Sequence, residues 1–114
     1  MVEDVLIEVL TGVGYPVLRQ GSLSFDESYP EHFFTFWNND TSDHSHYNNS
    51  EYGIDWDFDI NFYSTDPEKT YSVLAEARMR LKENGWIIPG RGYDVKSDEV
   101  THTGRGIRAF YLQV

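Results

Sequence analysis

The chain has 114 residues, a formal net charge of −10 at pH 7 and no cysteine. This length suits a single core, so residues 1–114 are expected to form one domain. The lack of cysteine excludes disulfides, a thiolate nucleophile and a cysteine-ligated zinc site. No apolar run approaches the length that spans a bilayer. We therefore expect a soluble protein with no membrane partner.

Charge is distributed unevenly along the chain. Residues 1–68 contain fourteen carboxylates and one cation, Arg19, whereas residues 69–114 contain eight lysines and arginines and five acids. This division favours either ion pairs within one molecule or front-to-back association of identical copies. It argues against tight nucleic-acid binding, because such binding needs cations that replace phosphate counterions.

The first half of the chain predicts one helix and two strands before a polar segment. Apolar residues at helical spacing indicate a helix over residues 2–11. Residues 16–20 predict a short strand, and the aromatic-rich residues 32–38 predict a second one. Residues 38–50 are rich in His and Asn, which predicts a loop or hairpin tip.

The most regular segment is residues 54–62, in which apolar and acidic or amide side chains alternate strictly. Alternate residues of a strand point to opposite faces, so this pattern predicts a strand with one buried face. Trp56 and Phe58 lie on the apolar side, which we call the aromatic face. The opposite side carries three carboxylates: Asp55, Asp57 and Asp59.

A second helix is predicted from Asp66 as its N-cap to Asn84, with Gly85 as its C-terminal cap. Three short strands follow, over residues 86–88, 93–97 and 108–114. The predicted order is α-β-β-β-α-β-β-β. Because the connections are short, we expect an α+β fold, with a mostly antiparallel sheet and both helices packed on the aromatic face.

The three aspartates of the central strand are the first candidate functional residues. Neighbours on one strand face lie about 7 Å apart, so their carboxylates do not converge on a single ion. The glycine turn and terminal glutamate of a calcium loop are also missing, and we predict no metal site. Three interpretations stay open: a solvated face, a subunit or channel-lining surface, or a mimic of DNA phosphates.

Two polar segments contain residue types that also occur in binding sites. Asp43, His44 and His46 are close in sequence but lack further ligands, so we interpret them as part of a polar loop. Residues 101–106, Thr-His-Thr-Gly-Arg-Gly, lack the Lys-Ser/Thr ending and the following helix of a phosphate-binding loop. A hairpin turn at residues 103–106, with positive φ at its glycines, is the preferred interpretation, and Arg105 in it is a candidate interface residue.

Aromatic side chains in or beside the predicted loops are numerous: Tyr15, Phe25, Tyr29, Trp37, Tyr47 and Tyr52. Tyrosine and tryptophan commonly anchor protein interfaces, which makes Trp37 and Tyr47 candidates for such a role. The alternative is that these rings cover the ends of the sheet. No nucleophile-elbow or zinc-protease motif is present in the sequence. A small hydrolase is therefore the least favoured hypothesis, and we predict no catalytic residues and no cofactor.

Four segments taken in order resemble a family of small proteins of tailed bacteriophages and prophages. They are Tyr-Pro-Val-Leu-Arg-Gln-Gly-Ser-Leu (15–23), Tyr-Pro-Glu-His-Phe-Phe-Thr-Phe-Trp-Asn-Asn-Asp (29–40), Trp-Asp-Phe-Asp-Ile-Asn-Phe-Tyr-Ser-Thr-Asp-Pro (56–67) and Gly-Tyr-Asp-Val-Lys-Ser-Asp-Glu-Val-Thr-His-Thr-Gly-Arg-Gly (92–106). The family is that of the tail completion, or tail-to-head joining, proteins of the minor tail protein U type.

The resemblance implies a small α+β subunit of the virion that is made in the host cytoplasm. It also implies a hexameric ring at the head-proximal end of the tail, with tail tube and head connector proteins as partners, and no catalytic residues. An acidic inhibitor that imitates DNA and occupies a basic groove of a host protein is the alternative function.

Overall fold

A computed structural model describes residues 2–19, 30–43, 53–97 and 101–113. Within these residues the chain forms two helices, α1 (Val2–Thr11) and α2 (Pro67–Glu83), and five strands. The strands are β1 (Val17–Arg19), β2 (His32–Asp43), β3 (Ile54–Ser64), β4 (Tyr93–Val95) and β5 (Thr103–Gln113). They form one sheet in the order β1-β2-β3-β5-β4, in which only β1 and β2 pair in parallel.

The predicted α+β class is confirmed, and both helices pack against the aromatic face of β3. Four phenylalanines from β2 and β3 form the centre of the core and are almost completely buried: Phe34, Phe36, Phe58 and Phe62. Leu6 and Leu10 of α1, together with Ala77 and Leu81 of α2, complete this cluster. Alternation therefore places the helices on one side of the sheet, because only that side offers a continuous apolar surface.

The ends of α2 follow the predicted capping pattern. The Asp66 carboxylate accepts a hydrogen bond from the backbone N–H of Glu68 at 3.0 Å, and Pro67 is the first helical residue. At the other end Gly85 adopts a φ of 90°, and the N–H of Trp86 donates to the Leu81 carbonyl at 3.0 Å. This cap directs Trp86 into the core, where it is 3% exposed. Neither described helix is long and apolar enough to cross a membrane.

Strand β2 is longer than the sequence pattern predicts, and the prediction of a loop from residue 38 is wrong for residues 38–43. These residues pair with β3 as far as Asp43, which lies opposite Ile54. The register shifts between Asn38 and Asp40, which is a β-bulge at Asn39. Cross-strand pairing to β3 overrides the low strand propensity of these polar residues.

The predicted strand at residues 86–88 is reduced to a single bridge between Ile87 and Phe110. Their two backbone hydrogen bonds measure 2.8 and 2.9 Å. Pro89 has no N–H to donate, so the pairing does not continue beyond this point. Ile87 is left 62% exposed on the side of the sheet that faces away from the helices.

The predicted hairpin turn at residues 103–106 is wrong, because these residues begin β5. Neither Gly104 nor Gly106 has a positive φ. A Cβ atom at Gly104 would lie 2.7 Å from the Tyr63 ring and 2.8 Å from the Val95 carbonyl, and one at Gly106 would collide with the Asn61 side chain. Glycine is therefore needed here for the close approach of neighbouring strands.

Replacing Gly104 with alanine should destabilise the fold by about 1–3 kcal/mol, because the new methyl group meets both a ring and a backbone oxygen. Denaturant unfolding followed by circular dichroism measures this change. The matched control is Gly90→Ala, where the nearest atom to a new Cβ is 4.0 Å away. Equal stability of the two variants would contradict the proposed role of Gly104.

Candidate interaction surface on the open face

The side of the sheet opposite the helices, which we call the open face, has two dissimilar ends. At one end Phe33 is only 4% exposed. Its ring stacks on Tyr63, with 5.2 Å between the ring centroids, and contacts His102 edge-on, with 5.9 Å between centroids. At the other end Trp37 and Tyr93 are 41% and 45% exposed. The candidate site is this second end, because large aromatic side chains are accessible there.

Six side chains form one hydrogen-bonded group at this end, which we call the Trp37 cluster: Trp37, Asn39, Asp57, Asp59, Tyr93 and Arg108. Asp59 lies at its centre. One of its oxygens accepts a hydrogen bond from Trp37 Nε1 at 3.0 Å, and the other accepts one from the Tyr93 hydroxyl at 3.3 Å. A single carboxylate thus holds two exposed rings that come from β2 and β4.

Asn39, the bulged residue of β2, belongs to the cluster through two hydrogen bonds. The Trp37 indole N–H also donates to Asn39 Oδ1 at 2.6 Å, and Asn39 Nδ2 donates to Asp57 Oδ1 at 3.5 Å. Asn39 is two residues after Trp37 and so lies on the same side of the sheet, and the bulge then places Asp40 opposite Asp57. The indole is consequently held by two acceptors, which restricts its orientation.

Arg108 reaches Asp57 across the β3–β5 pair. Its Nε and Nη2 atoms donate to the two carboxylate oxygens at 3.1 and 2.7 Å, a bidentate arrangement. The Asp57 side chain is 14% exposed and that of Arg108 is 54% exposed. Hydrogen bonding and charge attraction by Asp57 raise the pKa of Arg108 above its ordinary value. Arg108 therefore partly neutralises the negative charge on the acidic side of β3.

The protonation of Tyr93 is coupled to Asp59. Burial raises the pKa of the Tyr93 phenol above its ordinary value, and the charge and hydrogen bond of Asp59 raise it further. Arg108 acts in the opposite direction and is a smaller influence. The neutral phenol, which can donate to Asp59, is the form that this environment favours.

The residues predicted as interface candidates are separated by the fold. Asp57, Asp59 and Trp37 come together in the cluster, and Asp55 follows on the same face, opposite Leu112 of β5. Arg105 lies on the other side of the sheet, where it pairs with Asp94 at 2.9 Å and stacks over the Tyr71 ring at 4.2 Å. Its side chain is 14% exposed.

Two of the sequence-based predictions fall on parts of the chain that the structure does not describe. The structure does not describe Phe25, Tyr29, His44, His46, Tyr47 or Tyr52, nor the side chain of Asp43. Of the other rings expected near loops, Tyr15 packs edge-on against Phe62 at 5.3 Å and is partly buried.

Sequence reasoning missed three members of the cluster: Asn39, Tyr93 and Arg108. Arg108 is 51 residues from Asp57 and Tyr93 is 34 residues from Asp59, so only the strand register brings these pairs together. The available signal is the position of Arg108 directly before the apolar residues 109–112. A cation in that position favours a carboxylate on the neighbouring strand.

A serine–histidine contact is the arrangement nearest to a catalytic pair in the described part of the chain. His32 Nδ1 lies 2.7 Å from Ser64 Oγ, and the same oxygen accepts the Asp66 N–H at 2.9 Å. Ser64 is completely buried, so a substrate has no access to its hydroxyl. The pair instead ties β2 to the start of α2. Among the described residues, no group of three or more His, Asp or Glu side chains is placed to hold a metal ion.

Comparison with known proteins leaves this geometry as the main basis for assigning a function. No model of a protein family matches the chain, and no curated protein matches its sequence.

The Asp59→Asn substitution should lower the pKa of the Tyr93 phenol, because it removes the neighbouring negative charge. Ultraviolet titration of phenolate absorbance, with Tyr93→Phe subtracted, isolates this group. Asp94→Asn is the control, since Asp94 pairs with Arg105 on the other side of the sheet.

The same coupling sets the direction of a pH effect on stability. The folded state binds the phenol proton more tightly than the unfolded chain does. The stabilisation from Tyr93 is therefore present below the unfolded pKa of about 10 and is lost as pH rises through the higher folded pKa. A titration of Tyr93 that is identical in wild type and Asp59→Asn would contradict this coupling.

Proposed function

We propose that this protein is a non-enzymatic subunit of a larger protein assembly and that it binds its neighbours through the Trp37 cluster. The observation that carries the proposal is the fixation of two exposed rings, Trp37 and Tyr93, by one carboxylate, Asp59. Interfaces are commonly anchored by tryptophan, tyrosine and arginine, and Arg108 supplies the third of these side chains beside them.

The rigidity of the rings supports this role. An aromatic anchor that is already held in position loses little conformational freedom on binding, so more of its contact energy contributes to affinity. Ile87 is paired with Phe110 and Leu112 with Asp55, so both lie on the same side of the sheet, with 62% and 38% of their areas exposed. Exposed apolar and charged side chains are therefore interspersed on this face, and both kinds contribute to protein interfaces.

The assembly that we propose is the tail of a long-tailed phage, at the joint between tail and head. Support comes from the resemblance of residues 15–23, 29–40, 56–67 and 92–106 to tail completion proteins. The proposed partners are further copies of the chain in a hexameric ring, together with tail tube and head connector proteins. The proposed location is the virion, after synthesis in the host cytoplasm.

An acidic inhibitor that imitates DNA is the second hypothesis, and the cluster favours it less. Both oxygens of Asp57 bond to Arg108, and both oxygens of Asp59 accept hydrogen bonds from Trp37 and Tyr93. Carboxylates engaged in this way are poorer substitutes for phosphates than free ones. Capture of a DNA-binding enzyme, with no binding to tail tube protein, would favour this hypothesis.

Replacing Trp37 with alanine should weaken binding of the chain to itself and to tail tube protein by about tenfold or more, since buried tryptophan anchors commonly contribute about 2 kcal/mol. Analytical ultracentrifugation and titration calorimetry measure the two interactions. Ile7→Ser is the matched control, because Ile7 is similarly exposed, at 36%, but lies on α1.

Thermal unfolding of both variants must accompany these measurements, so that lost binding is not confused with lost folding. Unchanged binding by folded Trp37→Ala would rule out the open face as the contact surface.

Association should also weaken as salt concentration rises. At 0.1 M salt, electrostatic interactions between exposed charges are screened over about 10 Å. The attraction between oppositely charged surfaces of neighbouring molecules therefore declines as salt is added. Sedimentation across a salt series tests this expectation. Association that strengthens steadily with salt would indicate an interface held by apolar contacts alone.

A further inference from the structure

The outer surface of α2 lies on the side of the molecule opposite the open face. Leu74, Ala77 and Leu81 face the core, so Met79 and Lys82 point away from the sheet. A shallow depression is present on this side, lined by Ser72, Ala75, Glu76, Arg78, Met79, Lys82, Glu83 and Arg91. We call this lining the α2 surface.

Charge distinguishes the α2 surface from the open face. It carries three cations, Arg78, Lys82 and Arg91, and two acids, Glu76 and Glu83. Glu76 is engaged by Arg80 at 3.0 Å, which leaves the cations in excess. The described strands place Asp40, Asp55, Asp57 and Asp59 on the open face, with Arg108 as the one lysine or arginine among those strand residues. Surfaces of unlike sign attract each other and repel copies of themselves.

The apolar parts of the two surfaces are also complementary. Met79 is 56% exposed in the depression, and Ser72 and Ala75 on the preceding turns of α2 contribute small side chains to the same lining. Methionine is flexible and makes favourable contacts with aromatic rings, and the open face presents Trp37 and Tyr93 as fixed rings. Each surface therefore has exposed apolar side chains next to charges, and these charges are mainly negative on the open face and mainly positive on the α2 surface.

We infer that the Trp37 cluster binds the α2 surface of a second copy of this chain, an inference that rests on the proposed function. The contact is heterologous: each copy uses its open face for one neighbour and its α2 surface for the next. Such contacts produce a ring if successive copies rotate enough to close, and a filament if they do not. A two-fold dimer is disfavoured, because it would place like charges together.

Mixing two blocked variants tests this arrangement. The front variant is Trp37→Ala, with Tyr93→Ala as a second version in case the first fails to fold. The back variant combines Met79→Ser with Lys82→Ala, both at exposed helix positions. Each variant alone should lose at least about tenfold in self-association. An equimolar mixture should sediment as a one-to-one dimer, because only one intact pair of surfaces remains.

The outcomes separate this inference from the proposed function. If the back variant assembles like wild type while the front variant does not, the second-copy inference is overturned and the open face stays an interface. If folded front variants assemble and bind tail tube protein normally, the proposed function itself is overturned. A mixture that remains monomeric, or a wild-type chain that is monomeric at every concentration, also contradicts the inference.

Discussion

The central strand β3 has two chemically different faces, and the positions of the helices and the candidate site depend on that difference. Its apolar face, with Phe58 and Phe62 completely buried, is where α1 and α2 pack. Its acidic face is unsuited to helix packing, because buried carboxylates require donors. The sheet therefore has one covered side and one side on which polar groups and rings must be arranged with each other.

The Trp37 cluster is the result of that requirement. Asp57 and Asp59 are partly shielded, and each obtains donors from neighbouring strands: Arg108 from β5, Tyr93 from β4 and Trp37 from β2. Satisfying these carboxylates fixes the orientation of the rings that donate to them. The proposed interface anchors, Trp37 and Tyr93, are thus held in place by the hydrogen bonds that they donate to Asp59.

Local patterns predicted the parts of the fold that local physics determines. Alternation identified β3, and the residues Asp66, Pro67 and Gly85 identified the ends of α2, since strand periodicity and capping act within a few residues. Gly104 and Gly106 were misinterpreted as turn residues because the groups that require them, Tyr63 and Asn61, are on another strand. Propensity carries no information about such contacts.

The candidate site was predictable only in part for the same reason. The three aspartates and Trp37 were recognised from residue type and alternation. Arg108 and Tyr93, which form hydrogen bonds to these aspartates, are brought to them by strand register. A single sequence does not reveal the register between strands that are far apart in the chain. Arg105 was interpreted from a predicted turn, and it lies on the opposite side of the sheet because that turn is a strand.

The most direct measurement of the central claim is hydroxyl-radical footprinting of the assembled and the monomeric protein, read by mass spectrometry. The account predicts that Trp37 and Tyr93 become protected on assembly, whereas Ile7 on α1 is labelled to the same extent in both states. Equal labelling of Trp37 in the two states would contradict it, since the open face would then stay exposed to solvent in the assembly.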